Sequence, residues 1–298
     1  MSKQNESSPA ERPKPPFPKQ KLQPPGLERD LNPRPQFEGA EYRAAGKLKG
    51  KVALITGGDS GIGRSVAVLF AKEGADVAIN FLPEEEPDAV ETCRHVEALG
   101  RKCLKIPGDL RAKDVCEELI ATCVAQLGKL DILVSNAAHQ SRKPSLEAIT
   151  DDEWEKTFRT NIDALFFLTR AALNHLPRGS SIIVTSSETG LFGSKQLLDY
   201  SSTKGAINAF VKALAQNVLD RGIRVNAVAP GPVWTPLNAA DTGHTPEDVS
   251  TFGQKTPMGR PAQPEEIAPA YVFLASQADS SFLTGHVLPL LGGEVAGS

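Results

Sequence analysis

Tyr200 and Lys204 stand four residues apart in Asp199-Tyr-Ser-Ser-Thr-Lys204, a helical spacing that puts a phenol and an ammonium on one face. A free tyrosine ionises near ~10 and is a poor acid or base at neutral pH. A fixed cation beside it favours the phenolate and brings the group nearer to working range. Helices contain such pairs by accident, so the companions matter. Ser187 lies thirteen residues earlier, just beyond the apolar run Ser181-Ile-Ile-Val-Thr185. A phenol poised in this way suits general acid or base work on a substrate oxygen. No Gly-x-Ser-x-Gly elbow surrounds Ser187, which argues against a serine hydrolase. The histidines and cysteines lack ligand spacing, so no metal is expected.

Such groups need a frame, and the rest of the chain supplies one. Val52–Ile55, Ala75–Ile79, Cys103–Ile106, Asp131–Val134, Ser181–Thr185, Ile223–Val228 and His286–Leu290 are short apolar runs suited to buried strands. Helical patterns fill the gaps at 61–73, 87–99, 112–127, 152–176, 200–219 and 264–275. Strand and helix alternate in one sense throughout. That predicts an α/β fold: a single Rossmann-type, doubly wound domain over 47–298, with about seven parallel strands and helices on both faces.

Residues 1–46 differ. Nine of the 23 prolines precede Gln36, mixed with Lys, Glu and Gln, a composition that builds no core. Two readings stand: a disordered tail, or an arm along a neighbouring subunit anchored by Phe17, Leu22, Leu27 and Leu31. The whole chain, 298 residues with 40% hydrophobic, 23% charged and a net charge of −3, has the balance of a soluble globular protein. It has no broad positive field for nucleic acid or anionic membrane. No apolar run reaches the ~18 residues of a membrane span, and no apolar signal core opens the chain, so a cytoplasmic location is expected. Cys93, Cys103, Cys116 and Cys123 read as small buried residues in a reducing compartment.

The first strand runs into Thr56-Gly-Gly-Asp-Ser-Gly-Ile-Gly63 and then at once into a helix. Glycines at 57, 61 and 63 allow a tight turn and a close approach to a pyrophosphate, while the helix start offers free N–H groups. With this Gly-x-x-x-Gly-x-Gly spacing and the motifs that follow it, the chain resembles the short-chain dehydrogenase/reductase family from Leu48 to about Gly293. The resemblance makes Gly57, Asp59, Ser60, Gly61, Ile62 and Gly63 the cofactor turn. It places Asn80, Asp109 and Leu110 near the adenosine half. Ser135-Asn136-Ala137-Ala138 stands where the family usually has Asn-Asn-Ala-Gly, and Pro230, Gly231, Val233 and Thr235 belong to the segment that closes over the nicotinamide.

The same resemblance implies a catalytic set of Asn161, Ser187, Tyr200 and Lys204. Tyr200 would transfer the proton, and Lys204 would lower its pKa and bond the nicotinamide ribose. Ser187 would bond the substrate oxygen, and Asn161 would hold a water linking Lys204 to solvent. Gly-Gly-Asp-Ser at 57–60, Leu-Pro-Glu-Glu-Glu at 82–86 and Leu-Leu-Asp-Tyr at 197–200 are similar to a bacterial branch with glucose/ribitol dehydrogenase-like and general-stress-protein relatives. That branch also carries a proline-rich tail.

The expectation is therefore an NAD(P)-dependent oxidoreductase that interconverts a small alcohol, such as a polyol or sugar, with its aldehyde or ketone. Asn80 and Phe81 end the second strand without a carboxylate, which leans the cofactor to NADP over NAD. Substrate contacts are expected from His139, Gln140, Ser187, Glu188 and Trp234, on loops beyond the strand ends. The alternative is a nucleotide-binding sensor or structural oligomer with little turnover. The family is mostly tetrameric, which implies a homotetramer. Deleting residues 1–46 is then expected to spare cofactor binding and weaken assembly, which a cofactor titration of the truncated chain checks.

Overall fold

Strands that bury both faces can pair in parallel only if the chain returns across a face of the sheet each time, and helices make those returns. The computed structural model describes residues 11–295. Its strands are β1 (Val52–Thr56), β2 (Asp76–Phe81), β3 (Cys103–Pro107), β4 (Ile132–Ser135), β5 (Ser181–Thr185), β6 (Arg224–Pro230) and β7 (Val287–Leu290). They form one sheet in the order β3-β2-β1-β4-β5-β6-β7, every pairing parallel. β1, β5 and β6 are buried at every position.

The longer helices are α1 (Gly61–Lys72), α2 (Glu86–Ala98), α3 (Lys113–Leu127), α4 (Asp151–Phe158), α5 (Ala164–Ala172), α7 (Leu198–Asn217) and α10 (Pro264–Ala275). Short helices α6 (Thr189–Phe192), α8 (Pro236–Ala239), α9 (Pro246–Ser250) and α11 (Gln277–Ser280) lie in the connections. Apolar residues of α1, α2 and α10 pack on one face of the sheet, and those of α3, α5 and α7 on the other. The doubly wound α/β domain is thus as expected from the sequence. Winding reverses between β1 and β4, and the crevice beyond their carboxyl ends is where such folds bind ligands.

One predicted helix is interrupted. The stretch expected to run over 152–176 breaks into α4 and α5 around a π-helical segment, Arg159–Asp163. Single π turns of this kind widen a helix locally and recur at functional sites. Asn161 sits inside it.

The proline-rich segment departs from the disordered reading. The part within 1–10 lies outside the described residues, but residues 11–46 lie across their own chain rather than hanging free. Phe17 stacks on Trp234 with ring centroids 4.1 Å apart, and Pro33 accepts the Trp234 indole N–H at 2.8 Å. Phe17, Leu31, Trp234, Ala239 and Val249 make a small third core. Composition alone said that the segment builds no core, yet a few anchors suffice when the domain supplies the other side. The cysteine reading is corrected in part: Cys116 and Cys123 are free and buried, whereas Cys93 and Cys103 are joined as a disulfide between α2 and β3.

The arm also reaches the first helix. Arg64 is completely buried, and Glu28, from the arm, lies 2.7 Å from its guanidinium. Truncating residues 1–46 is therefore expected to uncover Trp234 and strip a buried cation of a partner, costing about 3–5 kcal/mol or more. A truncated chain that unfolds at the same urea midpoint as the full chain would refute this.

Candidate active site

The β1–α1 turn is tight because nothing but hydrogen fits inside it. A Cβ on Gly63 would sit 1.8 Å from the Gly57 carbonyl oxygen, and one on Gly61 would meet Thr235 Cγ2 at 2.9 Å. The second contact brings the 230–235 segment against the turn. Asn136 fastens the same place from β4. Its backbone N–H donates to Thr56 Oγ1 at 2.9 Å, and its amide donates to the Thr56 and Gly57 carbonyls, both at 3.1 Å. Its Oδ1 accepts from Thr185 at 3.0 Å, so β1, β4 and β5 are tied at their carboxyl ends. Ala137 adds an N–H to Thr56 Oγ1 at 3.1 Å.

This cradle fits a dinucleotide. Of the first-turn N–H groups of α1, that of Gly61 donates to Glu28 at 2.6 Å, and those of Ile62 and Gly63 follow it at the positive end of the helix. Pro230, Gly231 and Val233 lead from β6 to the turn, with Gly231 N–H on Leu290 O and Val233 bridged to Ala262. Several expected cofactor residues also make bonds within the chain. Asn80 donates to the carbonyls of Ile106 and Gly108 and so fastens β2 to β3. Asp109 is engaged by Arg111, which holds its carboxyl below the usual range, and Leu110 is buried with its carbonyl on the Cys116 thiol. Asp59 turns inward, where burial and Asp88 push its pKa up to about 6, while Ser60 bonds to it. Ala138 is partly exposed beside His139.

Beyond β5 the proton-handling candidates converge. Tyr200 and Lys204 lie in α7, both buried, with Lys204 Nζ 5.2 Å from the Tyr200 ring centroid. Tyr200 is hydrogen-bonded to Ser187. Thr189 donates to Ser187 Oγ through both its N–H and its hydroxyl, each at 3.1 Å, an orienting role that the sequence reading did not assign. Ser186, the neighbour, points away and donates to Asn208 Oδ1 at 2.6 Å. Asn161 donates to the His139 carbonyl at 2.9 Å and accepts the His139 N–H at 2.8 Å, with a further bond to Thr203 on α7 at 3.1 Å. The π turn thereby pins the β4 loop to the helix that carries Tyr200.

Electrostatically the pair differs from expectation. Burial pushes Tyr200 up to about 12, against the Ser187 hydrogen bond, and Lys204 is not among the groups that move it. Burial likewise lowers Lys204 to about 7, its Nζ donating to the Thr185 carbonyl at 2.7 Å. Desolvation outweighs the expected activation of the phenol because both groups leave water together.

A cavity of about 610 Å³ opens beside Ser187, lined by Arg142, Glu188, Thr189, Phe192, Leu197 and Glu294 among others. Of the expected substrate contacts, Ser187 included, only Glu188 lines it, and Asn161, Tyr200 and Lys204 do not. His139 bonds Glu153 at 2.6 Å, Gln140 is buried on Asp241, and Trp234 faces the arm instead of the cavity. Burial and Glu294 push Glu188 up to about 7. Arg142, paired with Asp241 at 2.5 Å, and the C-terminal Glu294 were not anticipated, because no local pattern marks residues that meet only through the fold.

A glycine turn at the switch point of a parallel sheet, with a Ser–Tyr–Lys cluster two strands away, accords with an NAD(P)-dependent oxidoreductase, the class that the relatives share. The chain belongs to the short-chain dehydrogenase/reductase family: the family model adh_short_C2, described as enoyl-(acyl carrier protein) reductase, matches residues 57–294. The chain is 52% identical to general stress protein 39 of Bacillus subtilis over 269 residues, 90% of this chain and 93% of that one. It is 47% identical to glucose and ribitol dehydrogenase of Daucus carota over 285 residues, 94% and 97% of the two chains. Among solved structures, a short-chain dehydrogenase from Burkholderia cenocepacia in complex with NADP superposes with a TM-score of 0.76 at 31% identity, covering 83% of this chain and 98% of that one.

The lowered Lys204 pKa carries a stability consequence. The folded chain binds fewer protons than the unfolded chain between pH ~7 and ~10.5, so this group's contribution to stability rises with pH across that window and is lost as pH falls through it. Lys204→Met should therefore be more stable than the parent at pH 6, by on the order of 2–4 kcal/mol, with the advantage fading toward pH 10. Urea unfolding at the two pH values measures it; an advantage that grows with pH would contradict the assignment.

Proposed function

We propose that the protein is an NADP-dependent reductase and dehydrogenase that interconverts a small, hydroxyl-bearing aldehyde or ketone with its alcohol, Tyr200 serving as acid and base. The observation that carries this is the hydrogen-bonded Ser187–Tyr200 pair beside buried Lys204; none of the three lines the neighbouring cavity of about 610 Å³, whose wall begins at Glu188 and Thr189, next along the chain from Ser187. When bound, the nicotinamide supplies or accepts the hydride. Tyr200 is protonated at neutral pH and can donate to the carbonyl oxygen, which Ser187 orients. Lys204, whose Nζ donates to the Thr185 carbonyl, would bond the nicotinamide ribose beside Tyr200. Asn161 holds the β4 loop and α7 in register while the proton moves. Arg142, Glu188, Thr189 and Ser194 offer the cavity's hydrogen-bonding groups, which suit a polyol or sugar; Phe192, Leu197 and Pro257 close it on the apolar side.

The cofactor preference rests on charge. Asn80, near the end of β2, is no excluding carboxylate. The NADP held by the Burkholderia cenocepacia relative supports the same choice. A cytoplasmic homotetramer completes the proposal. Phe166, Phe273 and Phe282 stand exposed on the single chain, as an assembling surface would have them.

The test follows reduced-nicotinamide absorbance with NADPH and with NADH, across a panel of polyols, sugars and small carbonyl compounds. Turnover with NADPH, falling about 10²–10⁴-fold in Tyr200→Phe, is expected. Carbonyl reduction should persist at neutral pH, while alcohol oxidation accelerates on the alkaline side as the phenol begins to ionise. Binding without turnover, or turnover indifferent to Tyr200→Phe, would sink this reading and leave a sensor.

A further inference from the structure

The arm touches the two halves of the site that a reaction must hold together. Phe17 N–H donates to the Ser250 carbonyl at 2.8 Å, and Ser250 Oγ returns a bond to the Phe17 carbonyl at 2.6 Å. Leu22 N–H donates to the Ala239 carbonyl at 3.0 Å, and Lys21 Nζ to the Thr242 carbonyl at 3.1 Å. With the Phe17–Trp234 stack, these contacts seize the whole stretch from Trp234 to Ser250 that follows the nicotinamide-side segment. Asp241 in that stretch holds Arg142 of the cavity wall.

Eleven residues on from Phe17, the same arm enters the dinucleotide turn. The Glu28 carboxylate is fully buried, accepts Gly61 N–H at 2.6 Å and lies 2.7 Å from Arg64. Asp88 accepts the Glu28 N–H at 2.5 Å, and Arg34 pairs with Glu91 at 2.7 Å, anchoring the arm to α2. Gln36 and Arg12 then hold α10 through Gln263 and Glu265. A first-turn N–H fixed by a carboxylate from another segment orients the next two, which are those facing a phosphate.

We propose that residues 17–33 act as a strap that positions both halves of the active site, Glu28 setting the dinucleotide turn and Phe17 setting the 234–250 cover through Trp234. Neither residue touches substrate in this scheme; both are positioning residues. The strap contradicts the expectation that deleting residues 1–46 spares cofactor binding. The proposal rests on the oxidoreductase reading, and the unmodified chain tests that first: failure to bind NADPH overturns both, whereas normal binding leaves the strap to be judged on its variants.

Full-length Glu28→Ala, Glu28→Gln and Phe17→Ala are compared for NADPH Kd, by cofactor fluorescence, and for kcat and KM with glyceraldehyde at saturating NADPH. Glu28→Ala should raise the NADPH Kd about tenfold, with kcat at saturation within about twofold; Glu28→Gln, which keeps an acceptor for Gly61 N–H, should restore the Kd to within about threefold. Phe17→Ala should raise the glyceraldehyde KM about five- to tenfold and leave the NADPH Kd within about twofold. A merely structural arm would move Kd and KM together in step with the melting temperature, and that result overturns the strap. So does an unchanged KM in folded Phe17→Ala, whether or not Glu28→Ala folds.

Discussion

Arg64 is a guanidinium with no water around it, and much of this molecule is arranged to satisfy it. Its Nε donates to the Asp59 carbonyl and to Thr92, and its remaining nitrogens meet Glu28, Asp88 and Glu91. A buried cation is tolerable only when paired and hydrogen-bonded on all sides. Meeting that demand draws together the arm, the β1–α1 turn and α2. The crowding of acids around one cation also explains why Glu28 is pushed up to about 7: burial dominates, Arg64 opposes it, and Asp88 and Asp59 add to it.

The proton-handling end obeys the same economy of burial. Tyr200 and Lys204 share an environment that disfavours both ionised forms, so each is shifted toward neutrality, in opposite directions on the pH scale. Geometry compensates where electrostatics does not. Thr189 aims Ser187, Ser187 bonds Tyr200, and Asn161 locks α7 to the β4 loop from within a π turn. A regular helix through 159–163 would shift the register of Asn161 relative to His139, so the interruption is part of the site.

Residues legible in the sequence were those whose work is local. Gly57, Gly61 and Gly63 announce a turn that only hydrogen atoms permit, and the Gly63 approach to Gly57 O bears that out. Alternating apolar runs announced the parallel sheet, because strands buried on both faces have no polar face to spare. Residues that act across the fold were harder to place. Trp234 looked like a substrate wall from its place after β6, yet its partners Phe17 and Pro33 lie more than two hundred residues away in sequence. Asn80 and Asp109, expected near the adenosine half, also bond to neighbouring carbonyls and to Arg111, contacts that no local pattern announced.

The sequence by itself determined the order of strands and helices, the glycine turn and the spacing of Ser187, Tyr200 and Lys204. Each follows from short-range sterics, periodicity or a helical turn. Tertiary structure alone decided where the proline-rich arm goes, which charges Arg64 gathers, and that Glu294 faces Glu188 across the cavity. It also decided the ionisation of the Tyr–Lys pair, since a pKa is set by the loss of water around a group, and no spacing of letters records how much water the fold removes.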